Sequence, residues 1–141
     1  MDISIIIPAH NEEGNVVPLY KELKAVLGRL KKSYEIIFID DGSTDSTFAK
    51  IKALNSKDKT IRCIRFRKNF GQTAGIDAGF KMAKGNVIIP IDADLPLVAE
   101  LELCIRRVCR GVMICWRVRQ VEHHRERRVC CQGESAGRLP G

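Results

Sequence analysis

Apolar and polar positions fall into alternating blocks over the first 95 residues. Ile3–Pro8 (ISIIIP) is a continuous, mostly β-branched run, the pattern of a strand covered on both faces. From Gly14 to Lys32 the apolar positions Val16, Val17, Tyr20, Leu23, Val26, Leu27 and Leu30 recur at helical spacing with lysines between them, which predicts an amphipathic helix. Glu35–Asp40 (EIIFID) reads as a second buried strand. It ends in the acidic turn Asp40-Asp41-Gly42-Ser43-Thr44-Asp45, where Ser43 or Asp45 is suited to cap a helix running to about Asn55. Ile61–Phe66, Gln72–Ala83 and Val87–Ile91 continue the alternation as strand, helix and strand. Such βαβ repetition predicts an α/β fold: a Rossmann-like, mostly parallel sheet with helices on both faces.

The polar clusters occupy equivalent places in this scheme. Ala9-His10-Asn11-Glu12-Glu13, Asp40-Asp41-Gly42-Ser43, Arg67-Lys68-Asn69-Phe70-Gly71 and Asp92-Ala93-Asp94 each follow the carboxyl end of a predicted strand. In an open α/β sheet the ligand crevice lies outside those ends. Four segments distant in sequence are therefore expected to meet at one edge.

Each cluster has its own chemistry. Asp92 and Asp94, two positions apart beyond a buried strand, suit a hard divalent cation, which takes oxygen ligands and commonly one or two carboxylates plus substrate phosphates. A diphosphate bound beside them becomes a better leaving group. An acid after a second strand commonly accepts hydrogen bonds from a ribose or base, so Asp40 is expected to face a ligand, with Asp41 to Asp45 shaping the loop. Pro8 to Glu12 can clasp a base and ribose. His10 is read as a loop residue, because no nucleophile is spaced to partner it as a base. Arg67, Lys68 and Gly71 suit phosphate contact through charge and close backbone approach. No Gly-rich dinucleotide fingerprint and no Walker loop is present. Cys63 alternates with apolar neighbours and reads as core.

The segments IIIPAHNEEGNV, EIIFIDDGSTDST, RKNFGQTAGIDAGFKMAKG and VIIPIDADL, in this order and spacing, resemble family 2 inverting glycosyltransferases. RKNFGQTAGIDAGF is similar to the dolichyl- or polyprenyl-phosphate sugar transferase branch. The resemblance covers residues 3–95. It implies a GT-A type domain in which Pro8, Ala9, Asn11, Glu12 and Asp40 hold the nucleotide of a nucleoside diphosphate sugar, with Asp41, Lys68, Gly71, Asp92 and Ala93 completing that binding set. Asp92 and Asp94 correspond to the family's Asp-x-Asp, the site of Mn²⁺ or Mg²⁺, and Asp94 is the expected catalytic position. The implied reaction is inverting attack by a polyprenyl or dolichyl phosphate oxygen on the anomeric carbon.

Composition divides the chain near Leu95. Residues 1–100 carry a net charge of +2, whereas residues 101–141 carry 9 Arg, no Lys and 4 acids. Five of the six cysteines (Cys104, Cys109, Cys115, Cys130 and Cys131) also lie in that last stretch. After Leu95 the resemblance stops, and the family's acceptor-side segment is expected to have no counterpart. Codons for Val112–Arg117, read from their third bases, permit Tyr-Asp-Met-Leu-Ala-Gly, similar to a strand the family has downstream. Residues 1–95 are thus expected to be the nucleotide-sugar-binding half of an incomplete domain, and 96–141 an atypical tail, out of frame and poorly ordered. A short helix over Leu101–Cys109 covering the sheet is compatible with the pattern. Cys130-Cys131 and His123-His124 lack zinc-site spacing.

The overall charge of +7 mostly describes that tail, so a nucleic-acid partner is not expected. The longest apolar run is far short of the roughly 20 residues of a membrane span, and no leader pattern precedes Ile3. A cytoplasmic location, with attachment at the membrane surface left open, is the expectation. A phospho-receiver domain would need its acidic pair after the first strand, where His10-Asn11-Glu12-Glu13 stands. A non-catalytic nucleotide-binding remnant is the alternative to a transferase.

Overall fold

A computed structural model describes residues 1–93, 102, 103 and 105–107, and the backbone of 128 and 129. Strands β1 (Ile3–Ala9), β2 (Tyr34–Asp40), β3 (Ile61–Arg65), β4 (Val87–Pro90) and β5 (Arg128–Val129) form one sheet in the order β3-β2-β1-β4-β5. All four pairings are parallel. Helices α1 (Val16–Arg29), α2 (Thr47–Lys57) and α3 (Gln72–Met82) form the crossovers. The expected alternation is therefore present, with the first helix starting two residues later and ending three earlier than periodicity alone suggested.

The pleat of the apolar strands assigns the two faces. Ile3, Ile5 and Ile7 of β1, with Ile36 and Phe38 of β2, pack against Val16, Leu19, Leu23, Val26 and Leu27 of α1 and Ile51 of α2. Ile6, Ile37 and Ile39 face the other way, onto Phe80 and Ala83 at the end of α3. This two-sided coverage is why β1 and β2 read as unbroken apolar runs. Gly79 lets α3 approach β1 closely, since a Cβ there would run into Ile6 Cγ2. Ile105, within the helical residues 102, 103 and 105–107, is fully buried in the α1 face core. Part of the expected short helix thus does cover the sheet.

The chain moves from β1 to β2 to β3 in one direction, then returns through α3 to lay β4 on β1's other edge. The carboxyl ends of β1 and β4 therefore flank the point where strand order reverses. At the opposite end of the sheet a buried carboxylate ties the strands together. Glu35 accepts hydrogen bonds from Ser4 Oγ (2.6 Å), Lys84 N (2.6 Å) and Arg62 Nη1 (3.0 Å). Burial pushes the Glu35 carboxyl up, but those three donors outweigh it and hold the group below its ordinary range.

Candidate functional site

The β1–β4 reversal opens into a cleft of about 370 Å³. It is lined by Pro8, Ala9, His10 and Glu12 after β1, Asp41 after β2, Asn69, Gly71 and Gln72 around the start of α3, and Asp92 and Ala93 after β4. Four segments distant in sequence meet at one edge, as the strand-end placement of the polar clusters predicts.

Two loops form the wall beyond β1 and β2, and they are stitched together. Asn11 N donates to Ser43 Oγ (2.9 Å), while Asn11 Oδ1 accepts from Thr44 N (2.9 Å). Glu12 N donates to Thr47 Oγ1 (2.9 Å), and Glu13 Oε2 accepts from Ser46 N (3.1 Å) and Ser46 Oγ. The Ser46 bonds hold the Glu13 carboxyl below its usual value. Asn11 sits at φ 52°, a left-handed conformation that asparagine tolerates. His10 Nδ1 donates to the Asp41 carbonyl (2.8 Å), and its Nε2 accepts from the Asn11 amide (3.3 Å). Both ring nitrogens are thereby occupied in holding the loops.

The adjacent acids of β2's end have opposite fates, and the pleat explains it. Asp40 continues the Ile36–Phe38 side of the strand, toward α2. It is fully buried, is not among the cleft residues, and accepts from Ser43 N (3.3 Å) through Oδ1. Its Oδ2 has no hydrogen-bond partner and lies 3.6 Å from Arg65 Nε, whose guanidinium sits 4.3 Å from the Phe48 ring centroid. The expectation that Asp40 faces the cleft is therefore corrected. Asp41 points to the α3 side, lines the cleft, and accepts from Phe70 N (2.7 Å) and Gly71 N (3.0 Å).

Gly42 and Gly71 make this junction feasible. Gly42 has φ +66°, and a Cβ there would collide with the Lys68–Asn69 backbone. Gly71 has φ +94°, which L-residues with side chains rarely adopt. Lys68 is not among the lining residues; its Nζ lies 5.1 Å from the Phe70 ring centroid. Asn11 likewise supports the wall without lining the cleft.

Asp92 lines the cleft and accepts a hydrogen bond from Gln72 Nε2 through Oδ1. Asp94 lies outside the described residues, as do the tail cysteines and His123-His124. Among the described residues no group of three or more His, Cys, Asp or Glu side chains could hold a metal by itself. Asp92, at the edge of an open polar cleft, offers the carboxylate oxygen that a hard cation takes beside phosphate oxygens.

His10, Asn69 and Gln72 are cleft residues outside the expected binding set. All three lie in the strand-end clusters or immediately beside them. That adjacency was the available signal; the Gln72–Asp92 contact spans 20 residues and has none in the spacing. Among the described residues no helix is long and apolar enough to cross a membrane.

The family model described as glycosyl transferase family 2 matches residues 4–129, running past Leu95. A Synechocystis protein called an uncharacterized glycosyltransferase is 41% identical over 101 residues, covering 72% of this chain and 32% of its own length. An undecaprenyl-phosphate 4-deoxy-4-formamido-L-arabinose transferase of Pseudomonas fluorescens is 38% identical over 109 residues, covering 71% and 32%. The chain thus spans about a third of the length of these relatives. Among solved structures, S. aureus TarS in complex with UDP-GlcNAc aligns with a TM-score of 0.57 at 23% identity, covering 67% of this chain and 27% of that one. The mannosyltransferase PcManGT of Pyrobaculum calidifontis, in complex with GDP-Man and Mn²⁺, aligns with a TM-score of 0.56 at 18% identity, covering 74% and 31%. Both likenesses are to the fold.

Proposed function

Because the chain belongs to glycosyl transferase family 2, we propose that it carries the nucleotide-sugar-binding part of an enzyme that glycosylates a polyprenyl phosphate with inversion. The observation that carries this reading is the cleft at the β1–β4 reversal, which brings Pro8, Ala9, Glu12, Asp41, Gly71, Asp92 and Ala93 to one edge. The undecaprenyl-phosphate transferase relative supports the acceptor class. The Mn²⁺ complex of the mannosyltransferase neighbour supports a divalent ion.

In this reading Pro8, Ala9 and Glu12 hold the nucleoside, with Asn11 and Asp40 fixing the loops behind them. Gly71 presents backbone to the diphosphate. Asp92 and Asp94 would hold Mn²⁺ or Mg²⁺, Asp94 being the expected catalytic position. When bound, the ion neutralises charge on the departing diphosphate. An oxygen of the lipid phosphate attacks the anomeric carbon from the face opposite the diphosphate. The new carbon–oxygen bond forms as the old one breaks, and the electron pair leaves with the nucleoside diphosphate. A phosphate monoester is already anionic at neutral pH, so no strong general base is needed.

Calorimetry with a nucleoside diphosphate sugar and Mn²⁺ tests the binding half. Metal-dependent binding is expected, weakened about tenfold or more by Asp94→Ala, in line with the loss of a charged ligand. Absence of any metal-dependent nucleotide binding in the unaltered chain removes the functional claim and leaves the fold. Turnover with polyprenyl phosphate separates a transferase from a nucleotide-binding remnant.

A further inference from the structure

The large exposed hydrophobic side chains among the described residues are Met1, Phe70 and Leu103, and Phe70, 56% exposed, is the aromatic one. Its loop is held firmly. Asp41, only 4% exposed, directs both carboxylate oxygens at the Phe70 and Gly71 amides, and Gly42 packs against the Lys68–Asn69 backbone from below. The Phe70 ring meets Phe66 edge-on, centroids 5.7 Å apart, and Phe66 packs on the α3-side core. Lys68 Nζ lies 5.1 Å from the Phe70 centroid, and Arg67 beside it is exposed. Asp41, beneath the tip, is turned to backbone amides, and the exposed Arg67 and Lys68 set positive charge beside the aromatic ring. Neighbouring Asn69 and Gly71 line the cleft.

An aromatic ring flanked by two cationic side chains matches the interface of an anionic bilayer. The ring is suited to headgroup depth, and long basic side chains to lipid phosphates. We propose that residues 67–70 dock the carboxyl edge of the sheet on an anionic phospholipid membrane, inserting Phe70 and setting Arg67 and Lys68 on its phosphates. Docking there turns the mouth of the cleft to the surface on which a polyprenyl phosphate exposes its head, a consequence that rests on the proposed function. The rigid Asp41 anchor then serves two ends, shaping the cleft and holding the wedge outward.

The test places tryptophan at the tip, as Phe70→Trp in a Trp116→Phe background, and adds vesicles of phosphatidylcholine with or without phosphatidylglycerol. With phosphatidylglycerol, emission from position 70 is expected to shift to the blue and to be quenched by lipids brominated on their acyl chains. Adding Arg67→Gln is expected to weaken that response about fivefold, the worth of one basic residue near an anionic surface. The tail arginines can bind anionic vesicles independently, so the readout is the depth of position 70. Vesicle binding with unmoved emission overturns the proposal, as does an equal response to phosphatidylcholine alone. Calorimetry of Phe70→Ser with Mn²⁺ and a nucleoside diphosphate keeps the two readings apart. Retained nucleotide binding with weakened vesicle affinity supports the docking role. Insertion of position 70 without any nucleotide binding by the unaltered chain counts against the proposed function alone.

Discussion

Replacing Glu35 with alanine is expected to destabilise the fold without touching the cleft. The carboxylate lies at the amino end of the parallel sheet, 2% exposed, and joins four segments: Ser4 in β1, its own strand β2, Arg62 in β3 and Lys84 before β4. Its removal leaves the Ser4 hydroxyl and the Lys84 amide without that acceptor and Arg62 without its counter-charge. Breaking a buried ion pair from one side costs about 3–5 kcal/mol. Here the Arg62 side chain is 32% exposed and keeps the Met82 carbonyl at 2.9 Å, so it can recover water. The lower end, about 3 kcal/mol, is therefore expected. With a urea slope of about 2 kcal/mol/M, the unfolding midpoint falls by about 1.5 M. The pH dependence supplies a second reading. The folded carboxyl lies below its ordinary value, so its contribution is fully present above about pH 4.3 and fades as pH drops through the lowered folded value. The alanine variant loses that part of the acid sensitivity. Urea titrations of both proteins at neutral and acidic pH, with nucleotide binding measured below the midpoint, make the assay. A loss under about 1 kcal/mol, no more than the average point substitution costs, would refute the idea that this carboxylate joins the strands.

Gly42→Ala combines a disfavoured positive φ with a collision against the Lys68–Asn69 backbone; a cost of about 3 kcal/mol is expected by denaturant unfolding. Calorimetry should also find nucleotide affinity lowered, because the displaced loop carries Asn69 and Gly71. Asp58 accepts hydrogen bonds from Tyr20, Thr60 and Lys24. Despite desolvation, the Thr60 and Lys24 bonds hold its carboxyl well below the usual range. Asp58→Ala is therefore expected to cost about 2 kcal/mol at neutral pH. The difference from the unaltered chain should shrink as pH falls below the ordinary carboxylate value, which urea midpoints across pH would reveal.

Periodicity alone determined a good deal about this chain. Runs such as ISIIIP and EIIFID demand cover on both faces, and strands spaced by helical patterns demand parallel crossovers. With the strands assigned, the polar clusters had to fall at one edge, which is why Pro8, Ala9, Glu12 and Asp92 are legible as cleft residues in the sequence. Composition was the poorer guide, because most of the charge and cysteine lies in residues 101–141. What sequence could not decide was the use of each side chain once the edge had formed. Asp40 and Asp41 are identical in chemistry and adjacent in the chain, yet the pleat buries one beside Arg65 and sets the other under the Phe70–Gly71 amides. Asn11 is drawn away from the cleft by Thr44, and Gln72 is brought to Asp92 across the sheet. Those assignments depend on distances between segments about 20 to 35 residues apart, and only tertiary packing sets them.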